Sequence, residues 1–187
     1  YEPVLEYLYP QIDDAVAEHI ARNVARVIDN GSTLQVGLGR IPNEMLRYID
    51  GRRDLGIHSD VICDSIVDLI ERGIITGQAK SIHRGQIVTS YCLGTQRLYD
   101  LIDNNPLFAF HPIEYVCDPA VISKNNKMVS VTQAQAVDLM GQVCSDQFGG
   151  EFYGGVSAKP DFMRGAAVSP GGKPIICLAS TTEDGKQ

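Results

Sequence analysis

Apolar residues recur at helical spacing from Asp13 to Asn30, with Val16, Ile20, Val24, Val27 and Ile28 on one face. This predicts an amphipathic helix that Gly31 stops. The pattern then shortens to the run Thr33-Leu34-Gln35-Val36, which predicts a strand, and Gly37-Leu38-Gly39 follows as a turn. Pro42 to Tyr48 reads as a helix with proline in its first turn, and Leu55-Gly56-Ile57 as a second strand. Beyond it come a helix from Asp64 to Arg72, a strand at Ile87-Val88-Thr89-Ser90 and a helix from Thr95 to Asp103. Strand and helix alternate, the pattern of an α/β fold with a mostly parallel open sheet and flanking helices. After Asn104-Asn105-Pro106 the predicted strands are short: Leu107 to Phe110, Met128 to Val131, Ala134 to Leu139 and Ile175 to Leu178, with Asp118-Pro119 opening a short helix. Residues 149–172 hold seven glycines and read as a ligand-facing loop, with a helix possible from Asp161.

The 187 residues suffice for a single domain with a real core, and a mean hydropathy of -0.06 is that of a soluble globular chain. A formal net charge of -7 argues against nucleic acid as a partner, because phosphate neutralisation needs a basic face. No apolar run approaches the roughly 20 residues of a membrane span, so no membrane partner and a cytoplasmic location are expected. The five cysteines, Cys63, Cys92, Cys117, Cys144 and Cys177, form no CxxC pair and stand among apolar neighbours, as buried free thiols in a reducing compartment do. The four histidines show no ligand spacing, and no metal is implied.

The chemistry concentrates at two predicted strand ends. Gly37-Leu38-Gly39 follows a strand and leads into a helix, so it reads either as a plain turn or as bare backbone for an anion or a developing oxyanion. It lacks the third glycine of a dinucleotide fingerprint. The strand at 55–57 delivers the carboxylate of Asp60 from its C-terminal end, where ligands of open α/β sheets collect. Asp64 is the expected cap of the 64–72 helix, which frees Asp60 for other work, and His58 reads as a half-buried strand histidine, with tuning of Asp60 as the lesser alternative. Arg40 reads as a solvated charge or a phosphate ligand. Gly154-Gly155-Val156-Ser157, followed by Asp161 to Gly165, reads either as a crossover loop or as a second backbone cradle suited to a nucleotide or a pantetheine arm.

The strings Leu34-Gln35-Val36-Gly37-Leu38-Gly39-Arg40-Ile41-Pro42, Asp54-Leu55-Gly56-Ile57-His58-Ser59, Asp138-Leu139-Met140-Gly141-Gln142-Val143-Cys144-Ser145-Asp146 and Asp161-Phe162-Met163-Arg164-Gly165-Ala166-Ala167 closely resemble the acetyl-CoA hydrolase/transferase family. That family includes 4-hydroxybutyrate and acetate CoA-transferases. The resemblance implies the CoA-transferase (NagB/RpiA/CoA-transferase-like) fold, with two similar halves and an active site between them. It also implies that this chain is part of the C-terminal half, separated from an N-terminal half and folded but catalytically incompetent alone. Self-association, including a homo-oligomer, is expected from the surface so uncovered. No permanently bound cofactor is implied. Coenzyme A enters as an acyl-CoA substrate, with a small carboxylic acid as the other reactant.

In the family a glutamate directly after Gly-Ile-His-Ser/Thr attacks the acyl-CoA, giving a mixed anhydride and then an enzyme-bound CoA thioester. The resemblance carries this place to Asp60, as nucleophile or general base, the oxyanion loop to Gly37 and Gly39, and CoA contacts to Gly154, Gly155, Val156 and Lys159. Two departures stand out. Aspartate replaces glutamate, about 1.5 Å shorter in reach and costing on the order of a hundredfold in a positioned reaction. Gly155-Val156-Ser157-Ala158-Lys159 replaces the common Gly-Val-Gly-Gly-Gln. The rival expectation is a catalytically silent CoA-binding or regulatory domain.

Overall fold

The computed structural model describes residues 15–148, 150–152 and 155–180. In chain order the elements are α1 (Ala15–Arg26), β1 (Thr33–Val36), α2 (Arg40–Met45), β2 (Gly56–Ile57), β3 (Val61–Ile62), α3 (Val67–Glu71), β4 (Ile87–Thr89), β5 (Tyr91–Cys92), α4 (Gln96–Ile102), β6 (Phe108–Phe110), α5 (Ile113–Val116), α6 (Pro119–Ile122), β7 (Met128–Gln133), β8 (Ala136–Val137), β9 (Val143–Cys144), β10 (Gln147–Phe148), β11 (Glu151–Phe152), α7 (Lys159–Val168) and β12 (Lys173–Cys177). Four parallel strands pair in the order β12-β7-β1-β2. A bridge between His58 and Val88 joins the parallel pair β4–β6 to the β2 side.

Strand order therefore grows outward from β1 in one direction, then reverses at β7. That reversal is a topological switch point, and the crevice beyond the carboxyl ends of β1 and β7 is where such sheets hold ligands. In each β-α-β crossover the helix starts at the carboxyl end of the preceding strand. The segments entering α2 and α7 consequently lie at the same end of the sheet.

Alternation along the strands sends side chains to two faces. Leu34, Val36, Ile57, Val129 and Val131 face α1 and α2 in the larger core, whereas Val88 and Met128 pack with Val116, Ile122 and Phe162 in a smaller one. The predicted face of α1 needs correction. Ala17, Ala21, Val24, Ala25 and Ile28 are buried, while Val16 and Val27 are exposed. Alanines let the helix backbone come close to its neighbours, and that close approach outweighs the larger but flanking valines.

The strand expected over Ala134 to Leu139 shrinks to β8, because Asp138 ends it. Its carboxylate accepts from Met140 N (2.9 Å), Gln142 N (2.8 Å) and Gln142 Nε2 (2.8 Å), turning the chain back into β9. Leu139 and Met140 stand at the tip, 107% and 85% exposed. Exposed apolar side chains on a hydrogen-bonded turn favour self-association. Changing both to lysine should lower the association seen by light scattering. It should leave the thermal midpoint within about 2 °C, since neither side chain contributes to the core. The glycine-rich stretch is likewise less open than expected, with α7 occupying its second half.

Candidate active site

β1 ends at Val36, and its continuation Gly37-Leu38-Gly39 is held by Asn43. Asn43 Nδ2 donates to Gly37 O (3.1 Å) and Gly39 O (2.8 Å). Ser65 in turn donates to Asn43 Oδ1, which fixes the amide. In a trans peptide the C=O and the following N–H point opposite ways. With both carbonyls turned to Asn43, the N–H groups of Leu38 and Arg40 face away from it.

Gly39 has extended backbone (φ -90, ψ 153), so close approach and not left-handed geometry requires glycine. A Cβ there would lie 2.9 Å from Pro42 Cδ. Gly39→Val should therefore lower the thermal midpoint by about 5 °C, read by differential scanning calorimetry, because the overpacked loop must shift.

Asp60 sits at the adjacent strand end. Its carbonyl accepts from both Ser90 N (3.1 Å) and Tyr91 N (3.2 Å). The regular ladder is interrupted there, between β2 and β3 on one strand and β4 and β5 on the other, with the same register on both sides: His58 pairs with Val88 and Val61 with Tyr91. Ser59, fully buried, joins the two strand ends: its Oγ accepts from Val36 N (3.3 Å) and lies 3.3 Å from Val36 O and 3.4 Å from Asp60 Oδ1.

The Asp60 carboxyl is half-buried. Burial pushes its pKa up, while hydrogen bonds from Val61 N–H, the Gln35 side chain, its own N–H and Ser59 pull it down. Gln35 is the residue that sequence reasoning passed over. It stands inside the apolar run of β1 and is buried, and a Cβ on Gly37 would lie 3.3 Å from its Nε2. Ser130, opposite it on β7, donates to Gln35 Oε1 at 2.7 Å. A polar residue within an otherwise apolar strand was the only signal the sequence offered.

His58 is the strand histidine expected, more deeply buried, with Val116 and Phe162 and not Asp60 as its partners. It is fully buried, its Nε2 lies 2.9 Å from Val116 O, and its ring meets Phe162 edge-on. Burial lowers its pKa to about 4, so it is neutral and Nε2 carries the donated proton. Asp64 does not cap its own helix either. It accepts from Thr95 N (2.9 Å) and Thr95 Oγ1 (2.7 Å), anchoring the start of α4 instead. Arg40 lines a shallow cleft with Val16, Ile20, Ile41 and Gln133.

Of the predicted second cradle, Gly154 lies outside the described residues. Gly155 and Val156 are exposed, and Lys159 opens α7 with Nζ 3.4 Å from Ser145 O. Cys117 connects the regions electrostatically: burial first, then the charges of Asp60 and Asp161, push its thiol up to about 12. Asp161 belongs to the first turn of α7. The described cysteines are all free, with Cys63 and Cys177 buried and the other three half-buried. Among the described residues no group of three or more His, Cys, Asp or Glu could hold a metal, and no helix is long and apolar enough to cross a membrane.

The profile of the acetyl-CoA hydrolase/transferase C-terminal domain matches residues 94–187. The chain belongs to the acetyl-CoA hydrolase/transferase family. It is 43% identical over 184 residues to 4-hydroxybutyrate coenzyme A transferase of Clostridium kluyveri, covering 98% of this chain and 43% of that protein. It is 39% identical to succinyl-CoA:cyclohexane-1-carboxylate CoA transferase of Geobacter metallireducens, covering 98% of this chain and 42% of that protein. The crystal structure of 4-hydroxybutyrate CoA-transferase from Porphyromonas gingivalis matches with TM-score 0.86 and 38% identity, over all of this chain and 44% of that one. RipA from Yersinia pestis matches with TM-score 0.90 and 34% identity, over 99% of this chain and 42% of that one. The fold is thus the CoA-transferase type that the motifs implied. The chain spans less than half the length of these family members.

Proposed function

We propose that this chain is one domain, part of the C-terminal catalytic half of an acyl-CoA:carboxylate CoA-transferase or acetyl-CoA hydrolase, and that Asp60 is its working carboxylate. The observation that carries this reading is the placement of Asp60. It is half-buried at the break between β2 and β3 and hydrogen-bonded by Gln35 and Ser59, and Ser59 ties it to the end of β1 where the glycine loop begins. The kinship with named CoA-transferases supports the same chemistry.

In transfer, the Asp60 carboxylate attacks the thioester carbonyl and CoA thiolate leaves, giving a mixed anhydride. The thiolate then attacks the aspartyl carbonyl of that anhydride and expels the carboxylic acid as its anion, leaving CoA as a thioester on Asp60. In hydrolysis Asp60 takes a proton from water as the water oxygen attacks the thioester carbonyl; the C–S bond then breaks, CoA leaves as the thiolate and takes up a proton, and the carboxylic acid is released. Backbone N–H groups of the Gly37–Gly39 loop serve the developing oxyanion in both cases. Gly154, Gly155, Val156 and Lys159 provide contacts for CoA. The other reactant is a small carboxylic acid, the remaining partner is the N-terminal half of the longer polypeptide, and the compartment is the cytoplasm.

The test is to mix the longer protein with acyl-CoA and search for CoA on a peptide containing Asp60 by mass spectrometry. A CoA adduct on Asp60 is expected for a transferase. Turnover without any adduct points to hydrolysis by general base. Aspartate in the family's glutamate position also favours a second reading, a CoA-binding domain without catalysis, for which CoA binds and neither turnover nor adduct occurs.

A further inference from the structure

Gln35 carries an acceptor and a donor group on one amide, and only the donor end suits an ionised carboxylate. Which end faces Asp60 depends on what the other end meets. Ser130 is fully buried on β7, directly opposite Gln35, and its Oγ lies 2.7 Å from Gln35 Oε1. Among the described residues Gln35 Oε1 is the one hydrogen-bond partner that Ser130 Oγ has. If the amide turned over, Ser130 would accept from Nε2 and its own proton would lack an acceptor in a buried place, which is costly. The unturned arrangement satisfies every group: Ser130 donates to Oε1, and Nε2 donates to the Asp60 carboxylate.

We propose that Ser130 is a positioning residue for the site: by donating its hydroxyl proton to Gln35 Oε1, it holds the Gln35 amide with its NH2 group toward Asp60. The relay crosses three adjacent strands, β7, β1 and the end of β2. The titratable groups that feel the Asp60 charge from neighbouring elements are Cys63 after β3, Tyr91 on β5 and Cys117 after α5. None of them is altered by changes at Ser130. This inference rests on reading Asp60 as the working carboxylate, but its test does not need turnover.

The experiment follows the side-chain carboxyl carbons of the 187-residue chain, labelled with 13C-aspartate, by NMR against pH, with Asp60 assigned through Asp60→Asn. Ser130→Ala frees the amide to turn and removes a polarising partner, so the Asp60 midpoint should rise by about one pH unit. Ser130→Cys keeps the volume with a poor donor and should give a smaller rise. Gln35→Met should raise the midpoint at least as far, and Ser130→Ala should add nothing in the Gln35→Met background. An unmoved midpoint in Ser130→Ala overturns the proposal, and so does an equal shift in both backgrounds. If Ser130→Ala does not fold, Ser130→Cys decides through the same comparison. Loss of Asp60 function in turnover assays would leave this titration untouched, so the two readings fail separately.

Discussion

Asp60→Ala in the longer protein abolishes both CoA transfer and acyl-CoA hydrolysis, whereas Asp60→Glu raises transfer relative to hydrolysis. The first outcome follows from losing the carboxylate that the chain presents after β2, tied through Ser59 to the start of the glycine loop. Removing a nucleophile or general base costs at least about 10²–10⁴-fold. The second follows from reach. A carboxylate about 1.5 Å short of the thioester carbon leaves space for a water, which Asp60 can deprotonate, and glutamate closes that gap. Acyl-CoA loss is followed with and without a carboxylic acid acceptor. Parental activity in Asp60→Ala, with and without acceptor, would reduce Asp60 to a structural strand-end residue.

The second large effect concerns Lys80 and stability. This lysine is 4% exposed, and its Nζ donates to Ile57 O and Gln86 O, each at 2.9 Å, bracing β2 against the entry to β4. Its stem lies over Gly56, where a Cβ would fall 2.4 Å from Lys80 Cγ. Burial lowers its pKa from 10.5 to about 7. A neutral amine still has two N–H groups, one for each carbonyl. Between these pKa values the unfolded chain holds a proton that the folded chain does not, so stability rises with pH.

Above about pH 8.5 the opposite slope begins, because burial pushes Cys63 and Cys117 up to about 12 and the unfolded chain loses thiol protons first. His58, lowered to about 4, acts only below its ordinary value of 6.5. The window for Lys80 is therefore pH 7 to 8.5, and the expected gain is about 1–2 kcal/mol. Urea denaturation across that window should show the rise in the parent chain and a nearly flat line in Lys80→Met. Parallel slopes in the two proteins would show that Lys80 is not the group responsible.

Much of the frame was legible in the residues themselves. Thr33 to Val36 followed by Gly37-Leu38-Gly39 and a proline-bearing helix start could only be a strand, a tight turn and a helix entry, and Leu55 to Ile57 placed Asp60 at a strand end. These are local rules, governed by neighbours within a few positions. Helical periodicity likewise located α1 and placed Val24 and Ile28 in the core, but it put Val16 and Val27 on the buried face. Ala17, Ala21 and Ala25 are buried instead, which the weaker hydropathy of alanine does not announce and close helix packing decides. Asp64 read as a local cap until Thr95, 31 positions on, offered a better-placed pair of donors.

The site's support was beyond any local rule. Ser130 meets Gln35 across 95 positions and Lys80 meets Ile57 across 23, because parallel strands bring together residues separated by whole crossovers. The sequence by itself determined β1, β2, β4, β6, β7 and β12 and that a carboxylate follows β2, but not the short strands β3, β5 and β9 to β11 or the turn at Asp138. Tertiary structure alone decided which buried polar groups satisfy one another around that carboxylate, since a hydrogen bond depends on distance and direction that spacing along the chain does not contain.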